Sequence, residues 1–175
     1  MYNKINFLFV TLFGIGKIKK IPGSIASLVT TIFLFFLLHI LNFSVNIVLT
    51  SVIIIFFISL YSVNIFIKDL DNKDPKEVVI DEFIGQSIPI CLYEIAHEGT
   101  KDTSQILTSY FIMFILFRIF DIVKPFPVSY YDKNFKNSFG VIMDDVIAGL
   151  YVVAVLVLYM AFASWKNFLK KLLDY

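Results

Sequence analysis

Long uncharged apolar runs alternate with short charged clusters along this chain, and the clusters divide it. From Ile21 to Ile67 there is no Asp, Glu, Lys or Arg. As helix that run reaches about 70 Å, enough to cross a roughly 30 Å hydrocarbon core twice. The break is expected at Leu41-Asn42-Phe43-Ser44, where polar side chains interrupt the pattern and Ser44 can cap the next helix. A third span is predicted from Ser104 to about Val123 and a fourth from about Val141 to Ala163. Phe83 to Ala96 is apolar but short and contains Pro89. Its length suits a tilted or re-entrant segment better than a full span. The pattern predicts an all-α, membrane-embedded bundle of four to five apolar segments, forming one domain over residues 1–175.

Composition supports this reading. Of 175 residues, 58% are hydrophobic and 17% charged, against roughly 25% charged in soluble domains. Mean hydropathy is +0.81. Disorder is excluded and an ordinary soluble globule is disfavoured. A net charge of +1 provides no bulk field to recruit nucleic acid. Cys91 is the only cysteine, so an internal disulfide and a multi-cysteine metal site are excluded. The first twenty residues combine Lys4, the apolar stretch Phe7 to Phe13, and then Lys17, Lys19 and Lys20. With no small-residue cleavage site, they are expected to be retained and to lie in the membrane interface.

Sidedness follows from the basic residues. Those of the N-terminal region, the Lys68–Glu82 loop and the Lys124–Gly140 loop far outnumber Lys101, Lys166, Lys170 and Lys171. If the richer regions share a side, that side is cytoplasmic, and the chain must cross between Phe83 and Thr103. The short Pro89 segment then has to span.

Three charged clusters fall at one membrane face in this topology. Asp81-Glu82 immediately precedes an apolar run. Arg118, Asp121 and Lys124 recur at i, i+3 and i+6, on one helical stripe that Pro125 ends. Asp144-Asp145 heads the last span, with Gly149 one turn on, where helices can approach closely. A single acid at each place would be explained as a helix cap. Paired acids, found twice, exceed what capping needs, and carboxylates at the hydrocarbon edge are costly unless partnered. Five carboxylates beside one Arg and one Lys suit a divalent cation and an anionic ligand. Oxygen donors without His or Cys favour Mg²⁺ over zinc.

A fourth element, Gly14 to Ser24, holds Pro22-Gly23 as a turn and Ser24 as an expected N-cap. Free N–H groups at the helix start, beside lysines, can bind an anion. The G-x-x-x-x-G-K-[ST] spacing of a phosphate-binding loop is absent. His39 and His97 are expected to be incidental, and the many Phe residues to face lipid. Cys91 lacks the C-x5-R context of a cysteine phosphatase.

These blocks together resemble one family. Ile21-Pro22-Gly23-Ser24, Ile80-Asp81-Glu82-Phe83-Ile84-Gly85, Phe117-Arg118-Ile119-Phe120-Asp121 through Lys124-Pro125-Phe126-Pro127, Tyr131-Asp132-Lys133-Asn134 and Gly140 to Asp145 with Ala148-Gly149 occur in the order seen in phosphatidylglycerophosphatase A. The resemblance runs from about Phe13 to the last span. Members of that family carry Thr where Ser24 stands, Gly where Ala26 stands, and often Gly-Gly where Asn137-Ser138 stands. The resemblance implies an all-α, Mg²⁺-dependent phosphatase of the bacterial inner membrane. Its substrate would be the phospholipid phosphatidylglycerophosphate and its product phosphatidylglycerol. It carries catalytic and metal roles onto Asp81, Glu82, Asp121, Asp144 and Asp145, and a catalytic role onto Lys124. Pro22, Gly23, Ser24, Arg118 and Lys124 are the residues expected to bind substrate.

The residues agree on physical grounds. A phosphomonoester on a diacylglycerol lies at headgroup level, where the charged helix ends are. Mg²⁺ can neutralise phosphoryl oxygens and activate water, the two cations can balance developing charge, and one carboxylate can act as base. The D-x-D-x-[TV] pattern of aspartate nucleophiles is missing, which favours direct attack by water. A phospholipid-forming phosphotransferase would need a D-G-x-x-A-R block, which is absent. A small cation-coupled transporter or channel subunit is the alternative from another class, and it predicts acids near the bilayer midplane. Nothing in the pattern sets an oligomeric state.

Overall fold

The computed structural model of the chain describes residues 3–70, 75–97 and 102–173, without the side chains of Asp132, Lys133 and 167–173. Lys73 and Lys101, which enter the charge count, lie outside the described residues, as do the side chains of Lys170, Lys171 and the Asp132-Lys133 pair of the family pattern. The described residues form helices and connecting turns, with no strand among them. The helices are α1 (Lys4–Val10), α2 (Pro22–Phe35, continued by a π turn to Ile40), α3 (Val45–Ile67), α4 (Ile80–Ala96), α5 (Thr103–Val123), α6 (Val128–Asn134) and α7 (Ser138–Leu173).

Four stretches are long and apolar enough to cross a membrane: Pro22–Ile40, Val45–Ile67, Thr103–Val123 and Ser138–Lys166. Their outward faces carry large apolar side chains such as Ile54, Phe57, Phe111, Leu158 and Phe162, all exposed. That surface suits lipid. Phe117 departs from the expected lipid-facing role and is fully buried.

The short α4 is the centre of the bundle. It packs on α2, α3, α5 and most extensively α7. It runs beside α2 in the same direction: Glu82 lies against Gly23 at one end, and His39 Nε2 sits 3.2 Å from Glu94 Oε1 at the other. The Pro89 segment is therefore a continuous helix inside the bundle, and it is not among the stretches long and apolar enough to cross a membrane. His39 has a place in the packing. It joins Glu94 and, at 3.3 Å, the Tyr110 hydroxyl, tying α2, α4 and α5 at the end remote from the acids.

Gly85 on α4 and Gly149 on α7 make the central contact. A Cβ on Gly149 would overlap the Gly85 carbonyl oxygen, and one on Gly85 would stand 2.6 Å from the Asp145 carbonyl oxygen. Only residues without side chains permit backbones this close. That contact carries Asp145 to the start of α4.

Three local expectations change. Helix α2 begins at Pro22 with Ile21 at the N-cap position in the left-handed region, so Ser24 sits inside the first turn and does not cap. Proline's fixed φ and missing N–H make it a natural first residue. Ser44 occupies the N-cap position of α3, but its side chain makes no capping bond. Helix α7 starts at Ser138, which places Asp144-Asp145 well inside it rather than at its head. The N-terminal segment folds against the protein: Phe7 packs on Phe66, Val10 is buried, and Asn6 Nδ2 donates to the Ser62 carbonyl at 3.0 Å.

Candidate active site

The starts of α2 and α4, the end of α5 and the second turn of α7 enclose a cavity of about 500 Å³. All ten residues singled out from sequence line it: Pro22, Gly23, Ser24, Asp81, Glu82, Arg118, Asp121, Lys124, Asp144 and Asp145. The positions are separated by up to 123 steps of chain only because parallel and antiparallel helices end at a common level. Asp81, Asp144 and Asp145 are buried, at 7%, 6% and 3% exposure.

Within this set the acids divide into two kinds. One carboxylate oxygen from each of Asp81, Glu82 and Asp145 lies within 4.8 Å of the others. Asp121 and Asp144 instead hold the cations. Arg118 Nη1 is 2.8 Å from Asp121 Oδ2, and Lys124 Nζ donates to Asp144 Oδ2 at 2.7 Å. Helix α5 ends at Val123, and Lys124 adopts a left-handed conformation with φ 47°. Such a φ is strained for a residue with a Cβ. It takes Lys124 out of the α5 helical stripe, so it pairs with α7 while Arg118 pairs within α5.

Second contacts fix these groups. Arg118 Nη1 also donates to Ser27 Oγ at 3.3 Å, and Ser27 Oγ donates to the Gly23 carbonyl at 2.9 Å. Gly23 leaves room for both neighbours: a Cβ there would overlap Glu82 Oε1 and stand 3.4 Å from Arg118 Nη1. In each acidic pair the first aspartate accepts from the next backbone N–H, Glu82 N to Asp81 Oδ1 at 3.1 Å and Asp145 N to Asp144 Oδ1 at 3.0 Å.

The donor set fits a hard cation. Three carboxylates converge, and Glu82 Oε2 is buried with no hydrogen-bond partner. A buried carboxylate oxygen left unpaired is costly unless a cation or proton meets it. Asp81, Glu82 and Asp121 lie within a turn of a helix end and Asp144-Asp145 in the second turn of α7, whereas the transporter alternative requires acids near mid-bundle. Asp81 and Glu82 occupy the first turn of α4.

A family model described as phosphatidylglycerophosphatase A matches residues 8–160. The chain belongs to the phosphatidylglycerophosphatase A family. A Haemophilus influenzae protein of that name is 35% identical over 155 residues, covering 89% of this chain and 88% of its own length. An Escherichia coli K12 phosphatidylglycerophosphatase A is 29% identical over 153 residues, 87% of this chain and 81% of that one. A Bacteroides thetaiotaomicron protein provisionally named as a phosphatidylinositol-3-phosphatase is 34% identical over 146 residues, 82% and 86% of the two chains. No solved structure matches. Membership in the phosphatidylglycerophosphatase A family makes the chain a phosphatase.

Sequence reasoning did not single out four residues in or near the cavity. Lys19 and Lys76 line the cavity, Ser27 anchors Arg118, and Gln86 is fully buried with both amide atoms unpartnered. Gln86 lies one turn beyond Glu82, and a polar side chain at that spacing in an apolar helix is the signal that could have revealed it. Lys19 is among the lysines read beside the α2 start as able to bind an anion, whereas Lys76 gave no such signal, because lysines beside a membrane are ordinarily read as headgroup contacts.

Proposed function

We propose that this chain hydrolyses the terminal phosphomonoester of phosphatidylglycerophosphate to give phosphatidylglycerol and phosphate, completing synthesis of that lipid at the cytoplasmic face of a bacterial inner membrane. The observation that carries this reading is the convergence of Asp81, Glu82 and Asp145 beside Arg118 and Lys124, in a cavity at the end of a membrane bundle. The names of the Haemophilus and Escherichia relatives support the substrate.

Asp81, Glu82 and Asp145 would hold Mg²⁺, which when bound supplies Lewis-acid stabilisation of charge on the phosphoryl oxygens. Arg118, held by Asp121 and Ser27, presents a guanidinium to the equatorial oxygens. Lys124, held by Asp144, stands at the same wall and balances charge on the oxygen that leaves. Pro22, Gly23 and Ser24 form the wall where the α2 start faces the phosphate. Water attacks phosphorus as the ester P–O bond breaks; a carboxylate accepts the water proton and the departing glycerol oxygen gains one.

Purified protein in detergent should release inorganic phosphate from phosphatidylglycerophosphate with Mg²⁺, lose that activity in EDTA, and regain it on Mg²⁺ addition. Full activity without metal would refute the ligand set. Phosphatidylinositol 3-phosphate belongs in the same assay, because of the Bacteroides relative; faster release from it would reassign the substrate.

Orientation has its own test. In a Cys91→Ala background, Asp69→Cys, at an exposed position just past α3, should react with an impermeant thiol reagent only from the cytoplasmic side. Labelling from outside would move the cavity across the membrane.

A further inference from the structure

The cavity has a floor and a rim of opposite charge. Five carboxylates form the floor with Arg118 and Lys124, and those two cations are already engaged by Asp121 and Asp144. Among the described residues, Lys19 and Lys76 are the other cations on its lining. Both are exposed, and neither pairs with a carboxylate among the described residues.

Their juxtaposition is built by the fold. Lys19 lies on the turn before α2 and Lys76 on the turn before α4. These turns interlock: Gly16 lies so close to Glu77 that a Cβ would overlap its carbonyl oxygen, and Val79 N donates to the Val10 carbonyl at 3.0 Å. The two lysines are thereby held at one mouth by backbone contacts, rather than spread along a headgroup surface.

We propose that Lys19 and Lys76 form a subsite for the phosphodiester of the substrate, so that the enzyme selects lipids whose terminal phosphomonoester lies beyond a second phosphate. This rests on the function proposed above. A monoester on the acidic floor leaves the diester, one glycerol unit away, at the mouth through which the acyl chains reach the membrane. A surplus of carboxylates below repels that second negative charge unless cations meet it. Lysine suits the task as a mobile, hydrated point charge that needs no fixed fork geometry. Phosphatidic acid, with one phosphate, cannot engage both floor and rim.

The test is Lys19→Gln/Lys76→Gln in neutral detergent micelles, with a circular dichroism spectrum to confirm folding. Rim charges act mainly on encounter and salt dependence, so KM for phosphatidylglycerophosphate should rise about tenfold with kcat retained, and its salt dependence should flatten. Phosphatidylglycerol, which keeps the diester and lacks the monoester, should weaken as a competitive inhibitor by a similar factor. Phosphatidic acid, as substrate or as inhibitor, should change at least several-fold less. Equal changes for all three ligands, or none for any, overturn the subsite. A loss seen in anionic vesicles but absent in neutral micelles also overturns it, and returns the lysines to the membrane surface. Wild-type protein that releases no phosphate from phosphatidylglycerophosphate would refute the proposed function itself, a result distinct from any of these.

Discussion

Asp145→Asn should lower phosphate release by about a hundredfold or more while the bundle stays assembled, a loss of roughly 2.7 kcal/mol of transition-state stabilisation. Asparagine caps a helix about as well as aspartate, so a capping role would hide the substitution. That role is closed to Asp145, because α7 begins at Ser138 and the aspartate lies in its interior. What asparagine removes is a formal charge from the oxygen cluster shared with Asp81 and Glu82. Asp144→Asn should act differently, since Asp144 holds Lys124; adjacent helical residues point about 100° apart. Its loss should be smaller and less responsive to added Mg²⁺, whereas high Mg²⁺ should partly rescue Asp145→Asn. Turnover, Mg²⁺ titration and helicity measured on both purified variants check this. Near-normal turnover in both would remove α7 from the metal site and leave Asp81, Glu82 and Asp121 to form it.

Gly85→Val should cost both stability and activity. Even a single Cβ at Gly85 would stand 2.6 Å from the Asp145 carbonyl oxygen and 2.8 Å from Phe117 Cε2. Phe117 is fully buried and cannot swing away, so α4 and α7 must separate. Overpacking of this kind costs about 1–3 kcal/mol, read as a lower midpoint of thermal unfolding in detergent. Activity should fall further than stability alone explains, because the same displacement withdraws Asp145 from Asp81 and Glu82. Gly149→Ala, pressing on the Gly85 carbonyl from the other side, should reproduce the pattern. A Gly85 variant with normal turnover and a normal midpoint would show that the two helices tolerate separation and that the cluster is not set by this contact.

The outer spans and the place of the acids were legible in the residues themselves. Hydropathy reports partition between water and lipid, and α2, α3, α5 and α7 each turn a broad face outward. Charges cannot remain in hydrocarbon unpaired, so their positions along the chain marked the start of α4 and the end of α5, but not the start of α7, which lies six residues before Asp144. Helix α4 escaped that logic. Gly85, Gln86, Ser87 and Cys91 are buried within it, and its surroundings are protein, so its sequence need not satisfy lipid and reads as too short and too polar to cross. Only packing decided that it lies at the centre beside α2, and only the Gly85–Gly149 approach decided that Asp145 joins Asp81 and Glu82 while Asp144 takes Lys124. The partners of each charge lie on different helices, and their distances depend on how closely backbones meet and on one left-handed residue at Lys124. Those are properties of helix–helix contact, which the pattern along a single strand of sequence does not contain.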